Sequence, residues 1–294
     1  MLPGFRVGIS RALPRQSVRA ASQNVDGDLQ PGTIIGANGR IGNLFKSLNG
    51  DSDILIGRDD SIPEDGKGPV YVCTRNDALA GIVNQCPEAR RPDLVFMQNG
   101  YLDNFLAEHS LEQNTQALIF FAVNKKDAPP IDGKTDLNPE GLTKVTGPWA
   151  EAFAERCQAA GLSCDVVSAE EYKVAMYEKL IWICSFMLVG ALHGGITVGE
   201  VEAEHREQVS DLILEMARAV EATQGVKFGP GVPARLCSYA RSVARFPTAI
   251  KEFEWRNGFF WDLSETAEDE DKIDPCPLHT RYCNQGLLED CFDF

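Results

Sequence analysis

The chain has no CxxC pair, no histidines at metal-ligand spacing and no excess of basic residues. Its longest apolar run, Leu180 to Leu192, is 13 residues and contains Ser185 and Gly190. About 18 apolar residues are needed to cross a bilayer, so the run reads as a buried helix and no transmembrane segment is expected. The net charge is −15, from 28 Lys+Arg against 43 Asp+Glu. That balance argues against a nucleic-acid partner, which calls for a basic face, and disfavours an anionic membrane surface. A small anionic substrate stays open, because a few local basic groups suffice. The nine cysteines are scattered and odd in number, so they read as reduced intracellular thiols. Cys276, Cys283 and Cys291 gather near His279 without zinc spacing, and no metal site is expected.

What is present is an ordinary globular composition, 44% hydrophobic and 24% charged over 294 residues. The first 25 residues differ from the rest. They carry Arg6, Arg11, Arg15 and Arg19 and no acid. A basic leader over residues 1–30 fits an organellar transit peptide, for a mitochondrion or plastid, or a disordered tail on a cytoplasmic protein.

From residue 31 apolar runs alternate with helical patterns. Residues 31–50 read as turn, short strand, glycine loop and helix; further strands are expected at 52–57, 68–75 and 93–100, and a long one at 116–126. Helices are expected after the first strand, over Asp77 to about Cys86, at "YLDNFLAEH" and at "WAEAFAERCQAAG", where Gly161 is a C-terminal cap. Residues 127–148 read as an irregular loop, and "SCDVVS" as a short strand closing the sheet. This alternation predicts an α/β class with a parallel sheet covered on both faces. Residues 31–168 then form a Rossmann-like domain.

Residues 169–294 read as all-helical. "AEEYKVAMYEKLIWICSFMLVGALHGG" is one long helix or two. Val209, Leu212, Ile213, Met216 and Val220 share one helical face. Pro247 is expected to start a helix through "PTAIKEFEWRNG". The run "SETAEDEDKIDP" is read as solvated. His109, His193, His205 and His279 are read as surface or helix-end residues, and Trp182, Trp255 and Trp261 as packing residues.

Gly36-Ala37-Asn38-Gly39-Arg40-Ile41-Gly42 lies between a strand and a helix, the context of a dinucleotide fingerprint. Glycines let backbone approach a pyrophosphate, and the helix N-terminus favours its charge. The spacing is GxxGxxG, one residue longer than GxGxxG, and Asn38 takes left-handed angles more readily than most residues. The absence of YxxxK removes the catalytic pair of short-chain dehydrogenases. After the second strand come Arg58 and Asp59. Arginine there pairs with a 2′-phosphate and favours NADP, while Asp59 keeps NAD open.

These motifs, with "VYVCTRND", "QNG", "YEKLIW", "EFEWRNG" and "DPCPLHT", resemble in order and spacing the ketopantoate reductase family, over about residues 33 to 285. The resemblance implies an N-terminal Rossmann domain, a helical C-terminal domain and reduction of a 2-oxo acid by NADPH in the cleft between them. It implies cofactor contacts from the glycine loop, Arg58, Thr74 and Asn99. Lys179 becomes the general acid that protonates the ketone oxygen, Glu252 a substrate-holding carboxylate that can also hold the lysine, and Asn99 the cofactor–substrate junction. An ammonium near a ketone gaining hydride stabilises the developing oxyanion and supplies its proton.

Three features depart from the family pattern. The glycine loop has its extra residue. The stretch between second and third strands is only "DDSIPEDGKG", so the sheet is expected to lack an element. Ile183 and Met187 stand four and eight residues after Lys179, where the family has substrate-binding asparagines. Lysine against an apolar wall should have a depressed pKa. Arg256 and Lys251 near Glu252 either attract an anionic substrate or form a surface charge pair, and the second is the simpler account. Two functions follow: an NADPH-dependent reductase of a 2-oxo acid or related carbonyl compound, or an inactive reductase-like subunit of an organellar assembly that is structural or senses nucleotide. Partners on these readings are a small carbonyl substrate, a second copy of the chain, or a larger complex.

Overall fold

The computed structural model describes residues 29–58, 60–123, 125–289 and 291–293. The leader through residue 28 and the Asp59 alternative for NAD lie outside these residues. Within them, seven strands form one sheet: β1 (Thr33–Ile35), β2 (Ile54–Ile56), β3 (Val70–Val72), β4 (Leu94–Phe96), β5 (Thr115–Leu118), β6 (Lys144–Thr146) and β7 (Asp165–Val166). The order is β2-β1-β3-β4-β5-β6-β7, parallel except where β6 runs antiparallel to β5. The helices α1 (Arg40–Leu48), α2 (Leu79–Gln85), α3 (Asp103–Glu108) and α4 (Ala150–Ala159) connect them.

Side chains alternate between two buried faces. Ile34, Tyr71, Val95, Ala117 and Val145 face α1 and α4 through Phe45 and Phe153. Ile35, Val70, Val72, Leu94 and Phe96 face α2 and α3 through Leu79, Val83 and Phe105. Phe45 meets Tyr71 and Phe153 edge-on at 5.3 and 5.7 Å. On the β2 side, β1 has one neighbour and no strand lies beyond it among the described residues. The doubly wound arrangement has two strands on that side. The short connection from Gly57 to Pro69 accounts for the missing one.

Buried in the first face is an ion pair that sequence patterning does not announce. Arg156 on α4 is 0% exposed and reaches Asp53 through two bonds of 2.7 and 2.9 Å. Nη1 and Nη2 also donate to the carbonyls of Phe45 and Gln30, Nε is buried without a partner among the described residues, and the guanidinium lies 4.8 Å from the Tyr71 ring centre.

The second half is built on α5 (Ala169–Leu192), a single helix. It starts where Ser168 and Glu171 form a reciprocal capping box. In length and composition α5 would suit a bilayer, yet 78% of its most apolar window is buried within the protein. Around it pack α6 (Val198–Glu204), α7 (Arg206–Gln224), α8 (Val232–Ser242), α9 (Asn257–Asp269) and α10 (Pro277–Leu288). The five α7 positions expected on one face are all buried. A two-stranded pairing of β8 (Ile250–Lys251) with β9 (Phe292–Asp293) closes the chain. Gly190 lets α5 pass close to Thr248, whose hydroxyl would lie 2.3 Å from an added Cβ.

Several expectations fail for identifiable reasons. The strand expected at 116–126 ends at Leu118. Beyond it the Phe120 amide donates to the Thr143 hydroxyl at 3.1 Å instead of to a neighbouring strand. The segment then crosses the strand ends, with Ala122 bridging Ile131. Residues 127–148 are not wholly irregular, because Lys144–Thr146 pairs with β5 and buries Val145. Pro247 starts no helix. It bridges Thr197, and the Thr248 amide and hydroxyl both donate to the Ile196 carbonyl. The helix waits until Asn257. His279 lies at a helix end, in the first turn of α10, as one of its two readings had it, but it is not on the surface. It is 0% exposed, lies 3.1 Å from Asn257 Oδ1, and burial pushes its pKa down to about 3.

Candidate active site

The C-terminal ends of β1, β3 and β4 open onto α5. A cleft of about 450 Å³ lies there, within the usual range for small-ligand sites. Ligands in open α/β sheets bind outside the carboxyl ends of the strands.

The glycine loop borders the cleft through Arg40 and Ile41, while Gly36, Asn38, Gly39 and Gly42 are not among its lining residues. Gly36 takes the left-handed conformation (φ +79°), and Asn38 does not. The reason is steric. A Cβ on Gly36 would sit 2.8 Å from the Cys73 carbonyl, so the tight turn must fall there. Gly39 is the N-cap of α1 and has no side chain to fill its amides. A Cβ on Gly42 would lie 2.3 Å from the Gly36 carbonyl, so only glycine lets α1 approach the loop. Arg40 and Ile41 line the cleft, and Asn38 is exposed beside it. Thr74, after β3, also lines the cleft, with its hydroxyl buried and without a hydrogen-bond partner among the described residues. Arg58 is exposed after β2 and is not among the cleft residues. An uncapped helix start, two tight glycines and an orphaned hydroxyl are chemistry that suits a dinucleotide phosphate.

Residues 119–123 and 125–128 lie against this wall of the cleft. The Val123 carbonyl accepts from Arg40 at 3.3 Å and Asp127 from Asn43 at 2.9 Å.

Asn99 stands at the cleft mouth with an exposed side chain, while its carbonyl accepts from Asn76 at 3.0 Å. Gln98 before it ties the floor together, donating to the Val72 and Thr74 carbonyls at 2.8 and 3.1 Å. Gly100 (φ +117°) packs so closely that its Cβ would meet the Trp255 carbonyl at 2.3 Å. The "QNG" turn is thereby docked on the turn carrying Glu252.

Lys179 projects from α5 into the cleft and is only 5% exposed. Its Nζ donates to the Ile119 carbonyl and lies 4.9 Å from the Phe120 ring centre. Burial first, and the Arg256 charge second, lower its pKa from 10.5 to about 7. Ile183 and Met187 follow it along the cleft wall, with Trp182, Tyr239 and Phe246. The wall is apolar at Ile183 and Met187, as the sequence implied, while Trp182 Nε1 is buried there without a hydrogen-bond partner among the described residues.

Glu252 is in the cleft, but it does not hold Lys179. It takes left-handed angles (φ +49°) and is ion-paired with Arg256. Such angles are costly for a side chain of this size and mark a site where geometry is imposed. Arg256 is no surface residue either. Its side chain is 15% exposed and lines the cleft. Four basic groups (Arg40, Arg75, Lys179, Arg256) and one acid (Glu252) line it. In a chain of net charge −15 that is a locally cationic site.

Gln98 and Arg75 carried no role in the sequence reading, and Arg256 was weighed there as an anion-attracting group but set below a surface charge pair.

No protein-family model and no curated protein sequence matches the chain. Solved structures do. A dimeric ketopantoate reductase from Staphylococcus aureus is similar at 17% identity and TM-score 0.60, over 89% of this chain and 99% of that one. A ketopantoate reductase from Ralstonia eutropha JMP134 is similar at 17% identity and TM-score 0.62, over 89% and 99%. D-mandelate dehydrogenase, solved with NADH and anilino(oxo)acetate, is similar at 11% identity and TM-score 0.63, over 89% and 98%. Identities this low speak for architecture alone: the chain has the ketopantoate reductase fold, a Rossmann sheet followed by a helical domain.

Proposed function

We propose that the protein is an NADPH-dependent reductase of a 2-oxo acid or related small carbonyl compound. One observation carries this reading. Lys179 is buried at the cleft between the glycine loop and the helical half, with a pKa of about 7. A structural lysine gains nothing from such a place. A general acid working near neutrality needs it.

The glycine loop and Thr74 would hold the dinucleotide phosphates, and Asn99 would border the nicotinamide and substrate. Arg58 would meet the 2′-phosphate that distinguishes NADPH from NADH. The bound dinucleotide supplies hydride to the carbonyl carbon. Lys179 holds a proton at Nζ and gives it to the carbonyl oxygen as that oxygen gains charge. The Ile119 carbonyl and the Phe120 ring orient the amine meanwhile. Glu252 acts through Arg256.

The test is NADPH against NADH in a binding titration, then oxidation of the bound cofactor with a panel of 2-oxo acids. Lys179→Ala should lower turnover by about 10²–10⁴-fold, the usual worth of a positioned acid. Turnover unchanged by that substitution removes the mechanism. Binding of neither nucleotide removes the enzyme and leaves the inactive-subunit reading.

A further inference from the structure

The surroundings of Lys179 shift it toward the free amine. Burial opposes its charge, and so does the nearby Arg256. The other charged groups lining the cleft are Arg40, Arg75 and Glu252, and that one acid is taken by Arg256. The Ile119 carbonyl and the Phe120 ring, 4.9 Å from Nζ, favour the cation, but burial outweighs them and the pKa is about 7. Near neutrality about half the molecules then carry a lone pair on Nζ. A lysine desolvated beside another cation is the usual form of a nucleophilic amine. Donating one N–H to Ile119 leaves the lone pair for a ligand in the cleft.

Two further donors there are unsatisfied. Trp182 stands three residues after Lys179 on α5, and its Nε1 is buried without a partner among the described residues. Arg256 Nε is likewise buried and unpartnered. A buried donor left unpaired costs on the order of 1–3 kcal/mol, so an oxygen bound to it is stabilising. Trp182 meets Tyr239 edge-on at 4.6 Å, Tyr239 meets Phe120 edge-on at 4.9 Å, and the Phe120 ring faces Nζ. Amine and indole are therefore held around one aromatic cluster, with Ile183 and Met187 beside it in the cleft wall.

We infer that Lys179 is a nucleophile as well as an acid, and that the cleft captures small aldehydes with aliphatic or aromatic substituents as a Schiff base on Nζ. The Nζ lone pair forms a C–N bond to the carbonyl carbon, and the carbonyl π pair moves to oxygen. A proton passes from nitrogen to that oxygen and gives a carbinolamine, with the indole N–H of Trp182 as hydrogen-bond donor to it. The C–O bond then breaks, water leaves and the imine remains. No oxidant or reductant is consumed. Capture needs neither nucleotide nor hydride, so it stands apart from the reductase reading.

The probe is benzaldehyde with cyanoborohydride, which reduces an imine to a stable benzylamine, followed by peptide mass mapping. Near pH 7 wild-type protein should gain one benzyl group at Lys179 at least about tenfold faster than at the exposed Lys125 and Lys126 of the same sample. That comparison is internal and needs no variant. The rate at Lys179 should rise with pH and level off above about pH 7. Lys179→Met should lose the fast labelling. Trp182→Phe keeps a ring and removes the N–H, and should slow labelling roughly 2- to 10-fold, the scale of one neutral hydrogen bond. Labelling of Lys179 no faster than of the surface lysines overturns the proposal, as does equally fast labelling of Lys179→Met. An unchanged rate in Trp182→Phe removes the indole from it. Labelling that persists in a protein binding neither NADPH nor NADH would support the Schiff base while the reductase reading fails.

Discussion

Lys179 donates its hydrogen bond to the backbone carbonyl of Ile119 and not to the carboxylate of Glu252. No anion in contact stabilises its charged form, and burial dominates. Its pKa is about 7 in the fold against 10.5 when exposed. Between those values the unfolded chain binds more protons than the folded one, so stability rises with pH across that window. The cost of the buried charge is fully present below about pH 7. Urea denaturation from pH 7 to 10 should show the rise in wild-type protein, and Lys179→Met should flatten it.

Reduction needs the protonated amine, so kcat/KM for the 2-oxo acid should fall above about pH 7. Oxidation of the hydroxy acid needs the neutral amine and should show the opposite limb. Steady-state rates in both directions check this. Parallel limbs would exclude Lys179 as the proton carrier.

Two glycines should respond to alanine in opposite ways. At Gly42 the new Cβ would sit 2.3 Å from a backbone oxygen. Overpacking of that kind costs about 1–3 kcal/mol, and nucleotide binding should weaken with it. At Gly81 in α2 nothing lies within 4 Å. Alanine there should stabilise by about 0.4–1 kcal/mol through the unfolded chain. Thermal melts of the two variants, with NADPH titrations, make the comparison.

Arg156→Ala should be among the most damaging substitutions away from the cleft. It strands the fully buried Asp53 carboxylate, a change that costs about 3–5 kcal/mol. Equilibrium denaturation of Arg156→Ala beside Arg156→Leu and Asp53→Leu together should show the double apolar replacement recovering much of the loss.

Arg58→Ala should narrow the preference for NADPH over NADH by roughly tenfold or more, since a bond to a charged group is worth about 1.5–3 kcal/mol. Isothermal titration with both nucleotides reads it. An unchanged ratio would mean another residue meets the 2′-phosphate.

The alternating strands and helices were legible because β1, β3 and β4 are continuous apolar runs. Their alternate residues feed two cores, one through Ile34 and Tyr71, the other through Ile35 and Val70. The glycine loop was legible because Gly42 is sterically obligatory. The end of β5 was not, because Ile119 to Val123 is as apolar as a strand and leaves the sheet to line the cleft. The Arg156–Asp53 pair was not, because its partners are 103 residues apart and nothing local marks either as buried. Arg256 misled for the converse reason. An i, i+4 charge pair looks like a surface pair unless the turn containing it is known to face inward.

The segment from Ile119 to Thr143 grips both halves of the molecule. At one end Val123 and Asp127 hold α1. Before them the Ile119 carbonyl engages α5, and further along Asp136 accepts from Ser238 and Arg241 on α8. A chain whose two halves met only through a linker would melt in two steps. Here neither half can open without releasing this strand of contacts, so heating should give one cooperative calorimetric transition, and cleavage within 125–142 should split it into two.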